Sequence, residues 1–180
     1  ETGLVPTKGI YDLIRIWRIV TRVDRNATLC IVGKFHSKKD QIRIKEMLRK
    51  YKMHKNIIFK GHVSGREKFS LLKSSKVFLY PSRQDSLSIA VLEALACGLP
   101  VISYKIPAMV LNYPINAVLK INVGNYNEMA HAVINILTDH NLRIKLKQAA
   151  IAFASNYTWE KAAKAELKAY EYVLERCIET

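Results

Sequence analysis

Cysteine is scarce, and the three that occur, Cys30, Cys97 and Cys177, are odd in number, far apart and free of metal-ligand spacing. That set argues against a disulfide framework. The apolar runs around Cys30 and Cys97 mark both as small core residues, which points to a reducing interior. Long hydrophobic runs are missing too. No window approaches the roughly 18 uninterrupted apolar residues of a membrane span, and runs such as Ile89 to Ala96 are short and carry Glu93. Glu1 to Thr7 has no basic stretch followed by an apolar one, so it does not read as a signal peptide. There is no fixed-period repeat, no low-complexity tract and no linker, so the 180 residues are expected to form one domain. No nucleic-acid-binding motif occurs, and the aromatic residues are not interleaved with the basic ones as stacking platforms would be, which argues against a nucleic-acid partner.

Acidic residues are the last deficit: 15 Asp and Glu stand against 29 Lys and Arg, a net charge of +14. Such a surface attracts phosphates, nucleic acids and anionic membranes, or it is simply a solvated face. The basic stretch Lys38 to Lys55 is amphipathic, because Ile42, Ile44, Met47, Leu48 and Tyr51 can turn inward while the lysines stay wet.

Helical and strand patterns alternate along the rest of the chain. Apolar residues recur at helical spacing in Ile10–Val23, with Leu13, Ile14, Trp17 and Val20 expected inward. Helices are also expected at Lys38–Lys52, Arg66–Lys73, Ser88–Ala96, Glu128–Leu137, Asn141–Phe153 and Trp159–Glu179. Short buried runs at Ala27–Val32, Asn56–Lys60, Lys76–Tyr80, Leu99–Tyr104 and Ala117–Ile121 read as strands. Strand–helix–strand units with β-branched strands predict a doubly wound, Rossmann-like parallel α/β sheet covered on both faces. Ligands of such sheets sit outside the carboxyl ends of the strands, here the loops Gly33–Lys38, Gly61–Gly65 and Pro81–Ser88. Almost no chain precedes the first helix, so the sheet is expected to lack a strand at its start.

The segment Pro81-Ser82-Arg83-Gln84-Asp85-Ser86-Leu87-Ser88, running into Leu92-Glu93-Ala94, carries the chemistry. A helix start near Ser86 to Ser88 presents free N–H groups, a natural seat for a phosphate. Asp85 lies just before it, and Glu93 is eight residues on, about 80° around a helix. Two carboxylates beside a phosphate suit a ligand that also offers diols, since a carboxylate accepts two hydrogen bonds from a diol. A nucleotide sugar has this pattern. Taken singly, Asp85 is equally a helix cap and Glu93 a rim residue.

This segment resembles the signature P-S-x-x-E-G-F-G-x-x-x-L-E-A-M-A-x-G-x-P-V-[IV] of the retaining glycosyltransferases of family four, which have the GT-B fold. Lys8-Gly9, Leu29 to Gly33, Ile58 to Val63 and Tyr157-Thr158-Trp159-Glu160 resemble further stretches of that family in the same order. The resemblance runs from Pro6 to about Tyr172. It implies the C-terminal, donor-binding half of a GT-B enzyme, with an N-terminal acceptor domain as its partner in cis. By the same resemblance Glu93 binds the ribose hydroxyls and Asp85 the transferred sugar. Backbone N–H groups from Leu87, Ser88 and Ile89 meet the sugar or distal phosphate, and Lys8 neutralises the diphosphate leaving group. Gly33, Lys34, Gly61 and His62 would line the base, although His62 also fits an ordinary surface turn. The implied reaction moves a hexose from a UDP- or GDP-sugar to a glycan or lipid-linked acceptor with retention. It uses no metal and no cofactor beyond the donor. The fragment alone would be inactive. The implied setting is cytoplasmic, with peripheral contact to an anionic membrane.

The sequence departs from the family pattern in three places. Gly3 stands where the family has a phosphate-binding arginine, either as a true replacement or because Glu1 to Gly3 is foreign. Asp85 is one methylene shorter than Glu. Ser86 and Ser88 replace two glycines. A sugar-nucleotide epimerase of related architecture and a non-catalytic basic binding module remain as alternatives.

Overall fold

The computed structural model describes residues 3–178, with side chains as far as Arg176. Glu1, Glu179 and the Cys177 side chain, which enter the expectations above, lie outside the described residues.

A 3-10 turn at Pro6–Lys8 leads into α1, Ile10–Val23. This helix buries Ile10, Ile14, Ile16, Trp17 and Val20, while Leu13 is only half-buried. β1 (Leu29–Val32), α2 (Lys38–Tyr51), β2 (Ile57–Gly61), α3 (Gly65–Ser74) and β3 (Phe78–Tyr80) follow in strict alternation. Then come α4 (Ile89–Ala96), β4 (Val101–Tyr104), α5 (Pro107–Asn112), β5 (Val118–Ile121), α6 (Tyr126–Thr138), α7 (His140–Ala154) and α8 (Trp159–Ile178). The expected α/β alternation with parallel strands is present.

The strands form two hydrogen-bonded sets. β1 pairs in parallel with β2, Leu29 opposite Ile57, and β4 lies between β3 and β5, parallel to both. Residues 4–7 link the two sets at their carboxyl ends. Leu4 bridges Phe35 in parallel, its N–H donating to the Lys34 carbonyl at 2.8 Å, and the Arg83 N–H donates to the Thr7 carbonyl at 2.9 Å. All four residues of β4 are buried, as a strand covered on both faces requires.

Two expectations need correction. Cys30 is exposed rather than a core residue. Side chains alternate along β1, and Ile31 takes the buried side while Cys30 and Val32 face outward. Ile42 is 57% exposed, because α2 seats itself mainly through Ile44 and Leu48, and Ile42 points to another face. The closing helix α8 exposes every residue from Trp159 to Arg176, so its apolar face covers none of the described core.

Candidate functional site

The carboxyl end of β3 delivers the chain into a loop, residues 81–88, whose backbone is fixed at its carbonyls. The Gln84 carbonyl accepts from Ser82 Oγ at 2.9 Å and from Lys8 Nζ at 3.1 Å. The Ser86 carbonyl accepts from Asn112 Nδ2 at 2.9 Å, and the buried Ser88 carbonyl accepts from the Tyr113 hydroxyl at 2.7 Å. With these three carbonyls turned to protein donors, the N–H groups of Leu87, Ser88 and Ile89 donate to no acceptor among the described residues. α4 starts at Ile89, with Ser88 as its cap residue. Asp85 is therefore not the cap. Its Oδ1 accepts from the Ser86 N–H at 2.9 Å.

Gly9 brings Lys8 to this loop. Its backbone is left-handed (φ 80°), and a Cβ there would lie 2.0 Å from the Pro81 carbonyl oxygen, an approach only glycine permits. Lys8 Nζ lies 2.9 Å from Asp85 Oδ2, and the Tyr80 hydroxyl donates to the same oxygen. Burial disfavours the Asp85 carboxylate, yet the hydrogen bonds from Tyr80 and Lys8 outweigh it and hold its pKa below the ordinary value. Burial likewise works against the Lys8 ammonium, and the Asp85 hydrogen bond and charge overcome it, raising the lysine. Both groups are ionised at neutral pH.

Glu93, on the second turn of α4, meets a different cation. Lys68 of α3 places Nζ 2.5 Å from its Oε1. A cavity of about 620 Å³ runs along β2 (Ile57, Phe59 and Gly61) against α2 (Ile44 and Leu48), with Gly33, Lys34 and Phe35 also in its lining. Of the residues expected at a base, Gly33, Lys34 and Gly61 are thus brought together. His62 is exposed and unpartnered among the described residues. At Gly3, a Cβ would lie 2.3 Å from both the Lys34 carbonyl oxygen and the His36 ring, so the position has no room for a side chain as it stands. No group of three or more side chains suited to holding a metal ion gathers among the described residues.

A second constellation supports the loop. Asp12 of α1 is 3% exposed and accepts five hydrogen bonds. Arg83 reaches its Oδ2 through Nε at 3.1 Å and Nη2 at 2.7 Å, and the buried Tyr104 hydroxyl reaches the same oxygen at 3.0 Å. Tyr126 and Arg15 hold Oδ1 at 3.0 and 3.1 Å. Burial, then the neighbouring Asp12 charge, drives the Tyr104 hydroxyl far above its ordinary pKa, so it stays a donor. Arg83 stands two residues before Asp85, and its side chain ties the loop to α1 as its backbone ties it to Thr7. Sequence reasoning missed Asp12, Tyr80, Lys68, Tyr113 and the Arg83 anchor. Asp12 sits in the first turn of α1, where an acidic residue ordinarily complements the helix dipole.

Residues 3–173 match the family described as glycosyl transferases group 1. The chain belongs to this family. An uncharacterized glycosyltransferase of Methanocaldococcus jannaschii is 25% identical over 171 residues, which cover 94% of this chain and 46% of that protein. Among solved structures, the sucrose-phosphate synthase of Thermosynechococcus elongatus superposes with a TM-score of 0.85 at 20% identity, over 97% of this chain and 44% of that one. Staphylococcus aureus TarM, solved with UDP among its ligands, gives a TM-score of 0.79 at 22% identity, over 93% and 34%. The group 1 domain seen here thus shares its fold with half of a GT-B glycosyltransferase and spans less than half the length of these relatives.

Proposed function

We propose that this domain binds the nucleotide-sugar donor of a retaining, metal-independent glycosyltransferase that transfers a hexose from a UDP- or GDP-sugar to a glycan or lipid-linked acceptor. The observation that carries the reading is the loop 81–88, whose Gln84, Ser86 and Ser88 carbonyls are engaged by protein donors and whose Leu87, Ser88 and Ile89 amides are free among the described residues, with Lys8 and Asp85 in contact beside it. Free amides and an ammonium suit a diphosphate, and the adjoining carboxylate suits sugar hydroxyls.

The Lys8 ammonium has three protons, so it can keep Asp85 on one and offer the others to the diphosphate. Its charge acts most strongly as the glycosidic C–O bond breaks and negative charge grows on the leaving phosphate. Asp85, already ionised and oriented by Tyr80, accepts from the hexose. Glu93 turns from Lys68 to the ribose diol, and the cavity beside Gly33, Lys34 and Gly61 takes the base. Acceptor selection belongs to a partner domain in cis, and the whole enzyme works in the cytoplasm at an anionic membrane face.

Isothermal titration with UDP, GDP and their sugar conjugates tests this. Binding of one nucleotide that weakens about tenfold or more in Glu93→Ala, as loss of a charge-assisted contact predicts, is the expected result. Equal affinity in the two proteins, both folded, overturns it.

A further inference from the structure

A second groove lies on the outer helical layer. It encloses about 460 Å³ between α1, the end of α2 and the start of α6. Arg15, Arg18 and Arg22 line it together with Tyr51, Tyr126 and Asn127, and no carboxylate is among its lining residues. Steps of three and four residues bring the arginines onto one face of α1, spread over about 10 Å of helix.

Two of these guanidinium groups are held by aromatic rings, and Arg22 is exposed beside them. Arg18 lies 4.3 Å from the centre of the Tyr51 ring, and Arg15 lies 5.4 Å from that of Tyr126 while donating to its hydroxyl at 3.0 Å. Contact with aromatic faces holds the Arg18 and Arg15 forks in place, and that of Arg18 leaves its edge free for an anion. Arg18 and Arg22 have no acidic partner among the described residues, and Arg15 shares only Asp12, which Arg83 also holds. Arg18 and Arg22, gathered without a counterion among the described residues, repel one another, so the groove is incomplete as it stands.

We propose that this groove is an anion site, separate from the donor loop, for a ligand carrying two or more phosphoryl groups. The forks of Arg18 and Arg22 match phosphoryl oxygens bidentately, Arg15 adds the donors its bonds to Asp12 and Tyr126 leave over, and their spread along the helix calls for more than one phosphoryl group. The tyrosine rings give such a ligand an apolar wall. Free oligophosphate and the phosphates of lipid headgroups share this chemistry. The site does not depend on the donor reading, because none of its residues touches the Lys8–Asp85 pair.

The test compares the wild-type chain, Arg18→Gln/Arg22→Gln, and Lys164→Gln/Lys168→Gln, which removes equal charge from the exposed helix α8. Each is titrated with inorganic tripolyphosphate, and each is sedimented with phosphatidylcholine vesicles with or without phosphatidylglycerol. Lys8→Gln reports any tripolyphosphate taken up by the donor loop, and urea unfolding confirms that every variant is folded. The expected result is about a tenfold or greater loss of tripolyphosphate affinity in the Arg18/Arg22 variant alone, which identifies a soluble ligand. Loss confined to phosphatidylglycerol vesicles, again in that variant alone, supports the site and identifies lipid headgroups. Equal losses in both double variants mean diffuse surface charge and overturn it. So do no loss in either, or loss that follows only Lys8→Gln.

Discussion

Asp12→Ala removes the acceptor on which two arginines and two tyrosines converge, and the structure lets its cost be apportioned. Tyr104 is fully buried, so its hydroxyl is left without a partner, at about 1–3 kcal/mol. The arginine arms count for less. The side chains of Arg15 and Arg83 are 44% and 43% exposed and recover water when released, so each pair contributes as a surface ion pair does, about 0–1 kcal/mol. Tyr126 keeps Arg15 as a partner. The sum is about 1–5 kcal/mol, which for a domain of this size lowers Tm by about 2–20 °C. Asp12→Asn keeps the volume but loses the charge and offers only one oxygen, so it should fall between wild type and Ala. Urea and thermal unfolding measure both. At temperatures where both variants remain folded, donor affinity should also drop about fivefold, ~1 kcal/mol, because Arg83 no longer ties the Asp85 loop to α1. An Asp12→Ala protein within about 0.5 kcal/mol of wild type, the range of an ordinary surface change, would refute the reasoning.

Gly9→Ala should cost about 3 kcal/mol or more in urea unfolding, adding a left-handed backbone penalty to overpacking against the Pro81 carbonyl. Tyr113→Phe removes one of three donors to the Ser88 carbonyl, which keeps the Val91 and Leu92 N–H groups, so it should cost about 0.5–1.5 kcal/mol. In wild type, burial pushes the Tyr113 phenol up to about 12, so ultraviolet titration should find it un-ionised well past the ordinary tyrosine range. The Lys8–Asp85 pair sets a pH window. Asp85 titrates below its ordinary 3.8, so its contribution is complete above that value and is lost as pH falls through the folded pKa. Lys8 titrates above 10.5, so its share is complete below that value and is lost as pH rises through the folded pKa. Lys8→Met should be less stable than wild type between these limits, with the gap in urea midpoints closing beyond either one.

Much of this architecture is legible in the residue pattern, for local reasons. The apolar spacing from Ile10 to Val23 matches α1 at both ends, and the β-branched runs fall on strands within two residues. α5, Pro107–Asn112, escaped because six residues hold too few turns for a period and Ile106 gives no capping signal. α6 begins two residues earlier than the pattern suggests, because Asn125 caps it through the Glu128 N–H at 3.1 Å. At the site, Lys8 and Asp85 are 77 residues apart in the chain; the family resemblance assigns them to different parts of one donor, and their direct ion pair is a finding of the structure. The Asp12 constellation was not anticipated, because its partners come from four separate segments and none carries a local mark. Cys30 was misjudged because an apolar run does not say which side of a strand is covered.

The division of the strands into two hydrogen-bonded sets has a consequence for motion. β1, β2 and α2 are joined to the rest of the sheet through residues 4–7, and α2 is seated mainly through Ile44 and Leu48. β4, by contrast, is flanked on both sides and fully buried. Amide protons of Ile31 and Phe59 should therefore exchange with solvent sooner than those of Ile102 and Ser103, as two cooperative units of unequal stability. The wall of the cavity at Gly33 and Gly61 belongs to the unit that opens first. A ligand lodged there would slow exchange in β1 and β2 while leaving β4 unchanged, so its arrival could be read from the protection of β1, none of whose residues lines the cavity.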